Sequence, residues 1–439
     1  MKNYSQIIRH SGNASLFDIL DVSVTGSLTG TPIHIHAEGL RGTGKTTIIR
    51  AYKEVLPKIN RIKGCLYNCD PSNPHCPEHY NLTSEEIEKI GVERINMPFL
   101  EISPSAKKGS VVGSIDLKKI SSKESPEAAL LLGTIPKAHR GIVFIDEINR
   151  IADTSPEIVD LLLDAMGTKP GRIQIEEAGL PVTEIPVQVS IWAASNPDED
   201  PGPLENIRRQ LSDRFDFTVN VERPLDTYVI NRIFSDEVLN VVNTATIQKT
   251  KEFLEAEKNI NRFKPTQEIR DLLASLYVNY GIESLRYVEA ALLGTKIRGA
   301  LLKRNPNIED VIFITRYALR HRVEMKELNN ILQNLEEKKS LIKKDSISVE
   351  TSIQNENKLP DSTKVSEINE HKNKNSRTFS FDFLKKLLQR FVPNAESAKS
   401  SNTSSTAPNP SIKAPPQKAL PMDKLKITEY VKTEEDLIK

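Results

Sequence analysis

The feature that most constrains this sequence is a glycine-rich segment of the form GxxxxGK[ST], Gly39-Leu40-Arg41-Gly42-Thr43-Gly44-Lys45-Thr46. The apolar residues 32–37 before it predict a buried strand, and residues 46–56 after it predict a helix. Glycine is needed at such a junction because the backbone must adopt left-handed dihedral angles and lie close to an anion. The segment therefore predicts a phosphate-binding loop.

Such a loop holds a nucleotide mainly through backbone amides that point inward at the start of the helix. We expect Lys45 to reach the β- and γ-phosphates and the Thr46 hydroxyl to bind Mg²⁺. The candidate nucleotide-binding residues are Gly39, Gly42, Thr43, Gly44, Lys45, Thr46 and Thr47.

Residues 141–147 form an apolar run that ends in Asp146 and Glu147. A continuous apolar run predicts a strand covered on both faces, as in a parallel sheet, with the two acids at its carboxyl end. Asp146 is then the candidate Mg²⁺ ligand, acting through water, and Glu147 is the candidate for activating the attacking water. Another buried strand, at residues 187–193, leads to Asn196, which is placed to bond the same water or the γ-phosphate.

Further elements follow from periodicity and turn residues. The pattern predicts a strand at 97–102, helices at 127–139 and after Ser155-Pro156, a hairpin from 172–176 and 182–186, and helices at 266–280, 284–304 and 308–322. Residues 61–80 are expected to be an irregular insertion, and residues 336–375 and 394–421 to be linker. Residues 380–392 predict a short amphipathic helix that docks on a partner, on this chain, or on a membrane surface, in that order.

Composition sets bounds on the function. The chain has 439 residues and a formal charge of +1, so no global field recruits nucleic acid. There is no apolar run that could span a membrane and no signal-peptide core, so we expect a cytoplasmic protein. The three cysteines, Cys65, Cys69 and Cys76, lie near His75 and His79. Their spacing is not that of a paired CxxC site, so a loop is favoured and structural zinc stays open.

Taken together, these elements resemble an AAA+ ATPase, specifically the ATPase (I) subunit of magnesium chelatase and its MoxR-type relatives. The resemblance runs from about Thr31 to Arg322. Beyond the nucleotide motifs it rests on Cys65…Asn68-Cys69-Asp70-Pro71, Val112-Gly113-Ser114-Ile115-Asp116-Leu117, Ala138-His139-Arg140-Gly141, Arg208…Gln210-Leu211-Ser212-Asp213-Arg214-Phe215 and Ala318-Leu319-Arg320-His321-Arg322.

The resemblance implies roles for individual residues. Asn196 matches the first sensor, Arg214 looks like the arginine finger inserted into a neighbouring subunit's site, and Arg286 looks like the second sensor. It also implies a ring, expected to be hexameric, with ATP and Mg²⁺ as cofactors. The expected partners are a von Willebrand-domain AAA+ subunit and a client or tetrapyrrole-binding subunit; no nucleic acid is expected.

The fold class expected from the resemblance is α/β: an AAA+ P-loop NTPase whose parallel sheet is sandwiched by helices. The expected divisions are a lead-in (1–30), the nucleotide-binding domain (31–223), a helical lid (224–335) and a largely disordered tail (336–439). The implied function is the ATP-hydrolysing motor of a magnesium-chelatase-like complex that inserts Mg²⁺ into a porphyrin. Two alternatives remain open here: a MoxR-like chaperone in metalloenzyme maturation, and a nucleotide-binding scaffold without turnover.

Overall fold

The structure is a computed structural model that describes residues 2–115, 130–167, 169–175, 182–235 and 244–356. Its strands are β1 (Ile35–Glu38), β2 (Lys58–Ile62), β3 (Val92–Asn96), β4 (Phe99–Ile102), β5 (Gly113–Ile115), β6 (Leu130–Leu132), β7 (Gly141–Ile145), β8 (Gly171–Ile175), β9 (Thr183–Val187), β10 (Val189–Ser195) and β11 (Phe217–Asn220).

The helices before residue 220 are α1 (Ala14–Leu28), α2 (Lys45–Ala51), α3 (Ser84–Ile90), α4 (Lys108–Val112), α5 (Thr134–Lys137), α6 (Ile148–Thr154), α7 (Pro156–Ala165), α8 (Leu204–Ile207) and α9 (Arg209–Arg214). The later helices are α10 (Thr227–Ile233), α11 (Thr244–Asn259), α12 (Gln267–Asn279), α13 (Arg286–Leu301), α14 (Ile308–Leu319) and α15 (Met325–Glu356). Short 3₁₀ turns lie at Tyr4–Gln6 and Tyr52–Glu54.

Five parallel strands form the central sheet in the order β11-β1-β10-β7-β4. Alternate side chains enter different cores because successive residues of a strand point to opposite faces. Phe144 and Trp192 belong to one apolar cluster, and Ile145 and Ile191 belong to the other. Both faces are therefore covered, which explains why these strands read as continuous apolar runs.

The first cluster contains α1 and the helices from α11 onward, and the second contains α6, α7 and the loop that carries the cysteines. Helix α1 is buried along most of its length. Its buried Ser23 donates to the carbonyl of Ile33 at 2.7 Å and accepts from the Trp192 indole at 2.8 Å. These bonds tie the first residues of the chain to the sheet.

The predicted parallel sheet with helices on both faces is confirmed, and several local expectations change. Residues 130–132 form a strand, not part of a helix, because a three-residue apolar run pairs with β5. The insertion after α2 begins with β2, which pairs antiparallel with β3. Helix α15 continues to Glu356, past the residue where linker was expected, anchored by buried Leu328, Ile331 and Leu335. The predicted helix at 380–392 lies outside the described residues.

The predicted hairpin is present as β8 and β9, which pair antiparallel; the tip of the hairpin lies outside the described residues. Helix α7 starts with Pro156 at its first position, as expected, but the Ser155 side chain makes no capping bond. Within the described residues, no helix is both long enough and apolar enough to cross a membrane.

One glycine sets how closely the helical layer approaches the sheet. A Cβ atom at Gly294 of α13 would lie 2.8 Å from Cζ of Phe217 and 3.0 Å from two carbons of Ile314. Phe217 and Ile314 are fully buried, so neither side chain has free space to move into.

We therefore predict that Gly294→Ala lowers the free energy of unfolding by about 1–3 kcal/mol, because the added methyl group overpacks the contact between α13 and β11. Thermal and urea unfolding of the full chain would measure the loss. The matched control is Gly109→Ala, because a Cβ there meets no atom within 4 Å. Equal stability of the two variants would show that the helical layer does not depend on this close approach.

Candidate nucleotide-binding site

The glycine-rich loop lies at the carboxyl edge of the sheet, between β1 and α2. Gly39, Gly42 and Gly44 all have positive φ angles, of 151°, 76° and 88°. A Cβ at Gly39 would come within 2.2 Å of the Val221 carbonyl oxygen, so no larger residue fits there. The Thr43 hydroxyl donates to the Leu40 carbonyl at 2.9 Å, a hydrogen bond within the loop that stabilises its conformation.

Lys45 begins α2 and is 6% exposed. Its ammonium donates to the backbone carbonyls of Gly39 and Leu40, the latter at 2.8 Å, and to Oδ1 of Asn196 at 2.9 Å. Burial lowers the pKa of Lys45, and the nearby Asp146 carboxylate opposes that effect. The sequence-predicted pair Lys45 and Asn196 is therefore in direct contact.

Thr46 connects the loop to the acidic end of β7. Its hydroxyl donates to Oδ1 of Asp146 at 3.2 Å. A hydroxyl and a carboxylate side by side are oxygen ligands suited to Mg²⁺, so these residues fit that ion. Thr47, one residue further, is exposed on α2.

Glu147 follows Asp146 and has a left-handed backbone, with φ 53° and ψ 47°. This conformation is uncommon for a residue with a side chain, and such strain concentrates at functional sites. The half-buried carboxylate pairs with Arg150 one helical turn later at 3.1 Å. The carboxylate therefore has a partner on α6 and is partly open to solvent.

Two residues of the site were not found from the sequence. Arg50 lies one turn after Thr46 and forms a two-pronged pair with Glu101, with bonds of 2.9–3.2 Å. One of its nitrogens is also 3.7 Å from Oδ2 of Asp146. Asn149 is buried, and its side-chain amide donates to the backbone carbonyl of Asn196 at 3.4 Å. The i,i+4 spacing of Thr46 and Arg50 could have indicated that the two side chains share one face of α2.

Arg214 and Arg286 lie at the other edge of the sheet. The amides of Asp216 and Phe217, at the start of β11, donate to the carbonyl of His34, just before β1, and the His34 amide donates to the Asp216 carboxylate. Four residues of strand, or about 13 Å at the usual rise, separate that edge from the loop. The structure therefore does not bring Arg214 or Arg286 to the phosphate loop of the same chain.

These two arginines share a local environment. Arg286 lies 3.8 Å from Oδ2 of Asp213, and Arg214 donates to the Leu163 carbonyl at 3.0 Å. Both line a cavity of about 670 Å³ together with Lys169. Burial lowers the pKa of Arg214, and the positive charge of Arg286 adds to the effect. Three acids, Asp216, Glu283 and Glu289, line the same cavity, so its positive side chains lie among carboxylates.

Arg322 organises this edge. It is nearly fully buried and donates to Oδ1 of Asp213 at 3.1 Å and to the backbone carbonyls of Asp213 and Phe215, each at 2.9 Å. These bonds cross from the end of α14 to the turn that follows α9. The guanidinium thus fixes the backbone on both sides of Arg214.

The sequence of this chain is similar to those of proteins named as magnesium-chelatase subunits. No protein-family model matches the chain. The magnesium-chelatase 38 kDa subunit of Acidiphilium rubrum is 35% identical over 192 residues, covering 43% of this chain and 51% of that protein, or about half its length. The magnesium-chelatase subunit ChlI homolog of Methanocaldococcus jannaschii is 28% identical over 320 residues, covering 69% of this chain and 82% of that protein.

Among solved structures, a chain from the complex between subunits BchI and BchD of magnesium chelatase is 25% identical. The alignment covers 75% of this chain and 99% of that chain, with a TM-score of 0.40. Because that score is low, the assignment rests on the sequence matches. The sequence of this chain is therefore similar to those of the magnesium chelatase ATPase-subunit-like family of AAA+ proteins.

Proposed function

We propose that this chain binds and hydrolyses ATP with Mg²⁺ in an oligomeric ring and uses the energy to remodel a partner that inserts Mg²⁺ into a porphyrin. The observation that carries the proposal is the contact between Thr46 of the loop and Asp146, the residue after β7. That contact joins the two motifs that any such site needs, at the edge of the sheet where α/β proteins bind ligands.

Bound ATP with Mg²⁺ supplies the transferable phosphoryl group and a cation that neutralises its charge. The amides of residues 42–46 hold the phosphate oxygens, and Lys45 exchanges its loop carbonyls for the β- and γ-phosphates. Thr46 and Asp146 hold the ion. Glu147 orients a water molecule and takes up its proton, and Asn196 keeps that water in place.

Arg214 and Arg286 serve the site of the next subunit in this proposal. Support comes from their position at the opposite edge of the sheet from the loop, within one cavity. An arginine supplied across an interface raises phosphoryl-transfer rates by roughly 10³–10⁵ in related systems. We propose a closed ring of six chains, in which each chain offers its loop to one neighbour and its arginines to the other.

The partner and the substrate follow from the relatives. The names of the matching proteins are those of magnesium-chelatase subunits, so the MoxR-like chaperone is not favoured. We propose that a von Willebrand-domain AAA+ subunit joins the ring and that a separate tetrapyrrole-binding subunit carries out the metal insertion. Tetrapyrrole chemistry then belongs to the partner, and this chain supplies the motor.

The nucleotide site is tested by two variants with opposite signatures. Lys45→Ala should lose binding of a fluorescent ATP analogue at concentrations that saturate the parent chain, because a buried ammonium no longer faces the phosphates. Glu147→Gln should bind the analogue normally but hydrolyse ATP about 10²–10⁴-fold more slowly, because the proton acceptor is lost. Glu157→Gln, an exposed glutamate at the start of α7, is the control and should behave as the parent. Unchanged hydrolysis by Glu147→Gln would contradict the assignment and support a scaffold without turnover.

The shared site is tested by mixing inactive variants. Arg214→Ala and Arg286→Ala should each assemble but lose most ATPase activity, and each should regain turnover when mixed with Lys45→Ala, because a mixed ring contains some intact interfaces. Arg209→Ala is the control, since this arginine is 77% exposed and pairs with an exposed glutamate. Full activity of Arg214→Ala by itself, or mixtures that stay inactive while assembled, would rule out a site built from two chains.

The metal-insertion step is tested by reconstitution. Purified chain, a von Willebrand-domain subunit and a tetrapyrrole-binding subunit, given ATP, Mg²⁺ and protoporphyrin, should yield magnesium protoporphyrin, detected by fluorescence. Replacing the chain with Glu147→Gln should remove the product, because the motor no longer turns over. ATP hydrolysis without metal insertion would be consistent with the proposed ATPase activity but would contradict the proposed role in inserting Mg²⁺ into a porphyrin.

A further inference from the structure

The loop between β2 and α3 buries a group of side chains that the nucleotide site does not use. Residues 63–82 contain no helix or strand apart from an isolated bridge between Asp70 and Asn73. Yet Cys65, Cys69 and Cys76 are 0–1% exposed and His79 is 8% exposed. A long loop without secondary structure that buries its own side chains needs something to hold it together.

The four side chains converge on one point. The three Sγ atoms and one ring nitrogen of His79 all lie within 4.8 Å of one another. The Sγ atoms of Cys65 and Cys76 are 4.0 Å apart, and Sγ of Cys76 is 2.9 Å from Nδ1 of His79. In a tetrahedral zinc site with Zn–S bonds of about 2.3 Å, neighbouring sulfur atoms are about 3.8 Å apart. The Cys65–Cys76 distance is close to this value, and the Cys76–His79 distance must lengthen for an ion to bind both atoms.

Backbone amides point at the sulfur atoms. The amide of Cys69 donates to Sγ of Cys65 at 3.5 Å. The amides of His75 and Cys76 both donate to Sγ of Cys69 at 3.4 Å. Neutral thiols are weak acceptors, whereas thiolates are strong ones, so these donors favour the form that binds a metal ion. This is a feature of the backbone, independent of how the side chains converge.

A disulfide explains the cluster less well. All three cysteines are free, and the chain has no others. A single bond between two of them would leave the third thiol and His79 in the same buried space without a role. Thiolates with an imidazole are ligands that select zinc, and four protein ligands complete its usual coordination.

We propose that Cys65, Cys69, Cys76 and His79 bind one Zn²⁺ ion in a closed structural site. Binding replaces the protons of the three thiols, which pass to solvent, and uses the neutral imidazole of His79; no electrons are exchanged. Because four protein ligands complete the coordination of the ion, it has no open position for a substrate and its role is structural.

The contacts of the loop show which parts of the fold the zinc site would stabilise. The Cys69 carbonyl accepts from the amide of Ile62 at 3.1 Å, at the end of β2. The neighbouring Asn68 donates to the Lys137 carbonyl at 2.7 Å, and Asp70 pairs with Arg140 at 2.9 Å. Lys137 and Arg140 lead directly into β7, the strand that Asp146 follows. The ion thus fastens the β2–β3 pair to the segment that positions the acidic strand.

His75 provides a matched control beside the site. Its Nδ1 is 3.2 Å from Sγ of Cys69, and its ring stacks on His139 with the centroids 3.7 Å apart. Within the described part of the chain, its buried Nε2 has no hydrogen-bond partner. His75 therefore lies against the cluster without belonging to the four converging ligands, and its replacement should leave the metal in place.

The test is the metal content of the full chain, purified without a histidine tag and measured by inductively coupled plasma mass spectrometry. We expect about one zinc per chain, falling below about one-tenth in Cys65→Ser, Cys76→Ser and His79→Asn, with His75→Asn unchanged. Uptake of Co²⁺ by the metal-free chain should give thiolate charge-transfer bands and the strong visible bands of a tetrahedral ion.

A second measurement does not depend on the variants folding. In the parent chain, a thiol reagent should modify all three cysteines only after a chelator has removed zinc, and each chain should release one ion. Three thiols that react without zinc release, with no uptake of Zn²⁺ or Co²⁺, would overturn the proposal. Iron in place of zinc would contradict the proposed identity of the ion. Metal retained by His79→Asn and lost by His75→Asn would contradict His79 as the fourth ligand. None of these outcomes depends on ATP hydrolysis.

Discussion

The parallel pairing of β1 with its neighbours is the constraint on which the candidate site depends. Glu38 at the end of β1 lies opposite Ser195 of β10, and Ala193 of β10 lies opposite Ile145 of β7. Since parallel strands all leave the sheet at the same edge, the segments that follow these residues must meet. Residues far apart in sequence, Lys45 and Asn196 among them, are thereby brought within hydrogen-bonding distance.

The polar groups at this edge already have partners. The Lys45 ammonium is held by loop carbonyls, and Asp146 is bonded by Thr46 and lies near Arg50. A buried charge without a partner costs several kcal/mol, so these contacts let the edge fold before any phosphate arrives. Binding an anion then exchanges one set of partners for another. The positive φ angles of the loop glycines do not depend on these partners, because they are set by the loop backbone itself.

The sequence could predict what depends on local chemistry. The loop, the acidic end of β7 and the strand before Asn196 each carry a motif and an apolar run, and the structure places them together. The strand at Leu130–Leu132 was mistaken for helix because so short an apolar run has no distinctive period. The pairing of β2 with β3 was missed because both strands contain many polar residues and a long loop separates Ile62 from Val92.

Long-range placement was beyond the sequence. Nothing local tells that Arg286 lies by Asp213, or that Cys65, Cys69, Cys76 and His79 share one buried point, since both depend on how separate segments pack. The spacing of the cysteines in particular argued for a simple loop. The convergence became visible only when the turns between them were in place.

The two edges of the sheet differ in what they present. Gly39 to Thr46 lie at one edge and the arginines at the other, held there by the buried Arg322. With the roles proposed for them, a single chain carries both the phosphate loop and the arginines, but they lie at opposite edges of its sheet and cannot form one site. Head-to-tail contact is then the only way to join them, and a closed circle is the only arrangement that leaves no half unmatched. Activity would thus rise more steeply than in proportion to the amount of protein, which would give the cell a switch based on abundance alone.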